Sequence, residues 1–303
     1  MRIISKDSRV YTMSERHAPA ARVASGERLA FETCDCFSDQ IQRVDTPFEG
    51  LDWARVNPAT GPVFIEGAQP GDTLAVHIER IELAEQAVMV TAPGLGVVGD
   101  RIHAPEVQVF AIRDGAVEIA GRVRVALQPM IGVIGTAPKG APIACGVPDA
   151  HGGNMDCKVI GAGATLFLPV EVPGALLALG DLHAAMGDGE VSVCGLEVAG
   201  RVELRVQLIK GRSLALPALR NDTHFYTIAS AVLLDDAAKL ATNHMADFLV
   251  AHAGLTLVQA INLMSACGNL QICQVVDPQK TCRFELSRSI FEQLKLSHEL
   301  LWQ

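Results

Sequence analysis

Short runs in which apolar and polar residues alternate constrain the fold of this chain more than any other feature. Between residues 201 and 209, every second residue is apolar: Val202, Leu204, Val206 and Leu208. Successive side chains of a strand point to opposite faces, so this pattern predicts a strand with one buried face. Shorter runs of the same kind occupy residues 74–78, 107–111 and 123–127.

Turn-forming pairs rich in glycine and proline separate these runs. They lie at residues 57–58, 61–62, 69–72, 114–115 and 128–129. Short strands divided by such turns are typical of sandwiches and barrels, in which most neighbouring strands are antiparallel. The sequence therefore predicts a mainly β fold, either a β-sandwich or a β-barrel.

The C-terminal part differs, because it predicts a helical pair. Asp235 can cap a helix that runs to about His252, and Gly254 can end it in a left-handed conformation. Residues 256–259 have the capping-box pattern, so a second helix is expected from there to Gly268. A strand over 270–276 completes a small α+β portion at residues 235–276.

Length and composition limit the organisation and the partners of the chain. Its 303 residues fit two moderate domains, which we place at 1–140 and 141–303. A formal net charge of −9 argues against nucleic acid as a partner. No apolar run is long enough to span a membrane, and residues 1–7 lack the apolar core of a signal peptide, so a cytoplasmic location is expected. The eight cysteines form no C-x-x-C pairs and are expected to be reduced, buried fillers.

Residues 151–190 concentrate side chains that bind metals or transfer protons. Asp181 and His183 are two positions apart, so on a strand both leave the same face and can share one ion. His151 and Asp156 can supply a second pair from the preceding loop. Imidazole and carboxylate together suit a divalent metal of the zinc class.

Each of these residues also has a simpler interpretation. Gly180–Asp181 and residues 187–189 resemble ordinary turns, and a single histidine such as His183 is more often part of a core. Their occurrence together in one short segment favours a site over a set of unrelated turns.

The chemistry of such a site is that of a metal-assisted hydrolase. A bound divalent ion makes water acidic enough to react near neutral pH. Asn154 or Lys158 can stabilise a developing oxyanion, and a carboxylate from Glu32, Asp35 or Glu190 can move protons to the leaving group.

Several common catalytic motifs do not fit the chain. No G-x-S-x-G, H-E-x-x-H or Walker motif occurs. Residues 94–99 match G-x-G-x-x-G, but Pro105 follows soon after and no helix pattern begins there. That segment is therefore interpreted as a turn.

The order of several blocks resembles the acetamidase/formamidase family. The blocks that carry this resemblance are residues 31–36, 57–63, 67–72, 129–135, 151–156, 168–170, 174–176, 180–184 and 187–190. The resemblance implies a mainly β, oligomeric hydrolase that releases ammonia from short aliphatic amides and uses zinc, with calcium also possible. Carried onto this chain, it implies metal and catalytic positions among Glu32, Asp35, His151, Asp156, Asp181, His183 and Glu190.

One departure from the family pattern bears on the substrate. Met186 stands where the family usually has glutamine, which predicts a more apolar pocket and allows a larger acyl group. Two alternatives therefore stay open: a hydrolase of another C–N substrate, such as a carbamate, urea derivative or lactam, and a non-catalytic scaffold that binds calcium. Calcium prefers oxygen ligands, so a purely structural calcium site leaves His151 and His183 unexplained.

Overall fold

A computed structural model describes residues 1–296 of the chain, and these residues form twenty β-strands and three α-helices. The strands are β1 (Arg2–Ile4), β2 (Arg9–Val10), β3 (Thr12–Met13), β4 (Ala21–Val23), β5 (Arg28–Thr33), β6 (Ala59–Ile65), β7 (Thr73–Thr91), β8 (Glu106–Ala111), β9 (Ala116–Ile119), β10 (Val123–Ala126), β11 (Met130–Gly135), β12 (Ile143–Ala144), β13 (Gly152–Asn154), β14 (Thr165–Pro169), β15 (Leu177–His183), β16 (Glu197–Ile209), β17 (Ala218–Arg220), β18 (His224–Ala231), β19 (Asn269–Gln274) and β20 (Lys280–Ser287). The helices are α1 (Leu234–Ala253), α2 (Leu257–Cys267) and α3 (Arg288–Gln293).

One large sheet organises the described residues. Sixteen strands belong to it, and its central order is β13-β11-β15-β16-β7-β14-β17-β18-β20-β19. Neighbours along this order are antiparallel, whereas β1–β5 and β4–β6 are parallel pairs. The predicted mainly β, mostly antiparallel fold is thereby confirmed.

The strand predicted at residues 201–209 is the C-terminal part of β16, which pairs with β7 on one side and with β5 on the other. Val202, Leu204 and Val206 are fully buried, while Arg205 and Gln207 are exposed. These buried side chains join the main core, which takes residues from both sides of position 140. The boundary at 140 stays a prediction, although strands before and after it share one sheet.

The helical pair packs on the far end of the sheet. Helix α1 lies against β18 and β20, and a second apolar core fills the space between them. Gly254 ends α1 with φ 65°, and Thr256 and Gln259 form the predicted capping box at the start of α2. None of the helices in residues 1–296 combines the length and the apolarity needed to cross a bilayer.

Two boundaries differ from those predicted. Helix α1 begins at Leu234, and Asp235 lies in its first turn instead of at the cap position, where Leu233 stands without a capping side chain. Asp235 lies two positions after the cap, in the first turn, where a negative charge still stabilises the positive end of the helix dipole. The strand expected over 270–276 is β19, which starts at Asn269 because Gly268 stops α2 directly before it. It ends at Gln274, two residues earlier than predicted.

The capping box gives a test of the helical portion. Thr256→Ala removes the side-chain acceptor of the Gln259 backbone amide, so it should lower the free energy of unfolding by ~1 kcal/mol. Urea denaturation followed by circular dichroism measures this loss. Thr256→Ser keeps the hydroxyl and serves as the control; equal stability of all three proteins would show that the cap contributes nothing.

Candidate active site

The candidate site is assembled by adjacent strands of the large sheet. His183, the last residue of β15, lies directly opposite Met130 of β11 and Glu197 of β16. Asp181 is two residues earlier on β15. The sheet register therefore brings an imidazole and two carboxylates to one place, to which the flanking loops add Asp156 and Glu190.

Four carboxylates surround the ring of His183. From its Nε2 atom the distances are 3.3 Å to Glu197 Oε1, 3.5 Å to Asp181 Oδ1, 3.8 Å to Asp156 Oδ1 and 4.0 Å to Glu190 Oε1. All five side chains are buried. We refer to these five residues as the acidic centre.

Three residues of the acidic centre have an unusual backbone. The φ angles of Asp156, Asp181 and Glu190 are 41°, 54° and 47°, in the left-handed region that residues other than glycine rarely adopt. Each such conformation costs on the order of 1–3 kcal/mol and persists only where the surroundings impose it. The fold thus holds three carboxylates in strained positions so that they point at one imidazole.

A glycine makes the close approach possible. Gly132 on β11 faces the carboxylates of Asp156 and Asp181, and a Cβ atom at this position would overlap both. The space that a side chain would fill is occupied by carboxylate and backbone oxygen atoms, so residue 132 has to be glycine.

Burial controls the protonation of the acidic centre. It raises the pKa of Asp156 and of Glu190 well above the ordinary values and raises that of Asp181 to about 6. For His183 burial opposes the charge, but Glu197 and Asp181 outweigh it and raise its pKa well above the ordinary value. Burial alone would raise the pKa of Glu197, but the charge of His183 outweighs it and lowers that pKa. Without a cation at neutral pH, these directions favour a Glu197–His183 ion pair beside Asp156 and Glu190 carboxyls that retain protons.

The donor atoms fit a divalent metal. Both oxygens of Asp156, both ring nitrogens of His183 and one oxygen each of Asp181, Glu190 and Glu197 are buried without a hydrogen-bond partner. Buried polar atoms rarely remain unpaired unless a ligand or an ion satisfies them. Zinc bonds of ~2.0–2.2 Å in a tetrahedron place neighbouring donors roughly 3.3–3.6 Å apart, close to the shorter distances found around His183.

The loop that carries Glu190 is anchored to the C-terminal strands. Arg283 on β20 is 1% exposed and binds both oxygens of Asp188 at 2.8 Å. Lys158 Nζ lies 2.8 Å from the same carboxylate, and the Gly189 amide donates to the carbonyl of Cys273. Lys158 therefore contacts the acidic centre only through this loop, which it helps to hold.

Asn154 and His151 are buried in the same segment of the chain, but neither is among the ion-pair contacts of His183. Asn154 Nδ2 donates to Asp277 Oδ2 at 3.0 Å, and Asp277 interacts with Asp156. His151 is buried with both ring nitrogens unpaired, and burial lowers its pKa to about 4, so its ring is neutral. The charge of Asp149 opposes this effect by raising the pKa of His151. Asp149 is not among the ion-pair contacts of His183.

Asp35 and Glu32 precede β6 in the chain and are not among the ion-pair contacts of His183, although the charge of Glu197 acts on Asp35. Asp35 accepts a hydrogen bond from the Asp39 amide at 2.8 Å, and burial raises its pKa to about 7. Glu32 is half-buried on β5 opposite Arg201, and its carbonyl accepts from Thr60. The structure thus groups Asp156, Asp181, His183 and Glu190 directly, and leaves Glu32 outside that group.

Sequence reasoning missed Glu197, which lies nearest to the His183 ring. An acid at the start of a long apolar strand was a usable signal, but its partner depends on the pairing of β15 with β16. It also missed Arg283 and Asp277, which come from the C-terminal strands, and it treated Cys36 only as a filler.

A cavity of about 430 Å³ opens beside the acidic centre. Glu190, Met186 and Cys194 are among the residues of its wall. Asp188 also lines the cavity, but Glu190 is the wall carboxylate that belongs to the acidic centre as well.

Comparison with known proteins identifies the family. The model of the acetamidase/formamidase family matches residues 15–145 and 141–293. This chain belongs to that family. The resemblance predicted from the sequence is thereby confirmed.

The solved relatives cover nearly the whole chain. An acetamidase of Bacillus halodurans is 50% identical with a TM-score of 0.94, over 96% of this chain and 99% of its own. A protein described as a predicted acetamidase/formamidase of Thermoanaerobacter tengcongensis is 48% identical with a TM-score of 0.96, over 98% of both chains. The acetamidase of Mycolicibacterium smegmatis is 28% identical over 63% of this chain, and the match spans 64% of its own length. The chain thus spans less than two thirds of that curated relative.

The raised carboxyl pKa values predict how the metal-free protein responds to pH. Asp35 and Asp181 have folded pKa values of about 7 and about 6, whereas unfolded carboxyls titrate near ~3.9. The folded state therefore binds more protons than the unfolded state. The stability that these two carboxyls contribute is fully present below pH ~4 and is lost as pH rises through about 6 and 7. Chelator-treated protein should need less urea to unfold at pH 8 than at pH 5.

Asp35→Asn separates this effect from general changes in charge. The amide keeps an acceptor for Asp39 but cannot ionise, so the fall in stability around pH 7 should be smaller. Asp45→Asn removes an exposed acid and should leave the fall unchanged. A metal-free protein that grows more stable between pH 5 and pH 8 would contradict the assignment.

Proposed function

We propose that this protein is a metal-dependent amidohydrolase that cleaves short-chain aliphatic amides to a carboxylate and ammonia. The observation that carries the proposal is the acidic centre, whose unpaired buried donors adjoin a cavity of about 430 Å³. Membership of the acetamidase/formamidase family supports the amide as substrate class.

The acidic centre supports binding of one divalent ion of the zinc class by Asp156, Asp181 and His183, with calcium as an alternative. When bound, such an ion polarises the amide carbonyl and makes water more acidic. A calcium scaffold without catalysis is disfavoured because the unpaired imidazole of His183 lies among the donors, and calcium prefers oxygen.

Glu190 is the residue that we assign to proton transfer. It forms part of the cavity wall, and burial raises its pKa well above the ordinary value, so it can hold a proton near neutral pH. An amine leaves an amide only once it is protonated, and a carboxyl of raised pKa is suited to deliver that proton. Asn154 has a second amide hydrogen available for the substrate oxygen, whereas the ammonium of Lys158 is bound to Asp188.

Met186 favours an acyl group larger than formyl. It is 9% exposed and forms part of the cavity wall near Glu190. An apolar thioether gains little from formamide but can pack against the methylene groups of propionamide or of a lactam. A cyclic or larger C–N substrate is therefore the second candidate for the same site.

The cellular setting and the assembly are also proposals. All eight cysteines are free thiols, which suits a cytoplasmic location. A homo-oligomer is proposed from the family resemblance.

The decisive experiment is ammonia release from formamide, acetamide, propionamide and a small lactam. Chelation should abolish release and zinc should restore it, and propionamide should exceed formamide in kcat/KM. Asp181→Asn and His183→Ala should lose both metal and activity. Full activity after removal of the metal, or in either variant, would contradict the metal site.

The proton-transfer role of Glu190 has its own test. Glu190→Gln keeps the size and removes the titrating group, so kcat should fall by roughly 10²–10⁴ while KM changes little. Glu49→Gln, on an exposed turn, is the control and should retain normal kcat. An unchanged kcat in Glu190→Gln assigns the proton to another residue.

A further inference from the structure

A small hairpin outside the large sheet forms part of the cavity wall. Strands β9 and β10 pair with each other, and within residues 1–296 neither pairs with a strand of the large sheet. The segment that leaves the hairpin is tied to the site, because the Gln128 amide donates to the carbonyl of Ala184 at 2.8 Å, one residue after His183. Gln128 also lines the cavity. The hairpin therefore has a defined position beside the acidic centre.

The two faces of the hairpin differ in polarity. Side chains that alternate along each strand and lie opposite each other share a face. Glu118 and Arg124 form such a pair and are exposed. The other face is apolar and consists of Val117, Ile119, Val123 and Val125. Two of these four, Ile119 and Val125, are half-buried, pack against the main core and also line the cavity.

We propose that Ile119 and Val125 are specificity-determining residues, which bind the aliphatic acyl chain of a neutral amide longer than acetamide. The inference rests on the amidase function proposed above, and it assigns the selection of the acyl chain to the hairpin.

The size and lining of the cavity support a chain of this kind. Its volume of about 430 Å³ lies in the ~300–1,000 Å³ range of small-molecule sites, whereas one water molecule takes roughly 30 Å³ of the liquid. Formamide and acetamide would therefore leave most of the space to water. Met89 of β7 and Met186 add flexible apolar side chains to the same wall. A chain that covers these side chains removes apolar surface from water, which favours binding.

The charges on the wall favour a neutral chain. Asp188 and Glu190 are its two acids, and none of its described residues is basic. The Asp188 carboxylate already binds Arg283 and Lys158, so it does not require a cationic substituent on the substrate. A carboxylate at the end of the acyl chain would meet no cation on the wall.

Val123 is the natural comparison. It belongs to the same apolar face of the hairpin, but it is 52% exposed and is not among the residues of the cavity wall. A substitution at Val123 therefore repeats the chemical change in the same hairpin without altering the proposed contact with the acyl chain.

The test compares kcat/KM for valeramide with that for acetamide, measured by ammonia release from metal-loaded, full-length protein. The ratio of the two values is independent of the fraction of active protein, and in the unmodified protein it should favour valeramide. Val125→Thr and Ile119→Thr place a hydroxyl in the apolar wall, so each should lower the ratio roughly 10-fold. Val125→Phe narrows the cavity and should lower it further. Val123→Thr and Val123→Phe should keep the ratio of the unmodified protein.

A binding measurement separates this inference from the amidase function. In the Glu190→Gln background, saturation-transfer NMR should show magnetisation passing from the protein to the terminal methyl group of valeramide. The added substitution Val125→Phe should abolish this transfer, and Val123→Phe should retain it. Absence of ammonia release from every amide would refute the amidase, and the transfer would still decide the role of the hairpin.

Three outcomes overturn the inference. The first is an unmodified protein that prefers acetamide to valeramide. The second is a ratio that stays unchanged in the Ile119 and Val125 variants or falls equally in the Val123 variants. The third is a transfer signal that Val125→Phe leaves intact. If Val125→Phe fails to fold, the two threonine variants decide, because they nearly preserve side-chain volume.

Discussion

The burial of several acids around one imidazole is the constraint on which the rest of the site depends. Asp156, Asp181, Glu190 and Glu197 all approach His183 within 4.0 Å, where water cannot screen their repulsion. A protein interior tolerates such a group only if protons or cations compensate it. Protons can do so at low pH, and at neutral pH the divalent ion proposed for this site would do so by displacing them.

The fold maintains this arrangement through backbone strain and a rigid support. Left-handed conformations at three of the acids have to be stabilised by the rest of the structure, and β15 supplies part of that support because strands pair with both of its edges. The loop of Glu190 lies outside the strands, and it is held by the hydrogen bond from the Gly189 amide to the Cys273 carbonyl and by Arg283, whose guanidinium binds Asp188 through two hydrogen bonds. The C-terminal strands thus contribute to the site by positioning Glu190.

Local signals in the sequence were sufficient for much of the fold. The capping box at Thr256 and the glycine at 254 act within a few residues, and the alternation along β16 reflects one buried face. The same period of two explains why Asp181 and His183 could be expected to converge. Glu197 and Arg283 could not be found in this way, because their contacts depend on strand pairing over long separations in the chain.

Cys36 shows where reasoning from residue types alone fails. A buried free cysteine is usually a small apolar filler, and its neighbours Phe37 and Ile41 agree with that interpretation on one side. On the other side lie the carboxylates of Asp181 and Glu197, which an apolar filler would leave unsatisfied. A thiol suits both surroundings, since it packs as a small apolar group while its S–H can donate a weak hydrogen bond to a carboxylate oxygen. The polar neighbours of Cys36 depend on the pairing of β15 with β16, which residue types alone do not reveal.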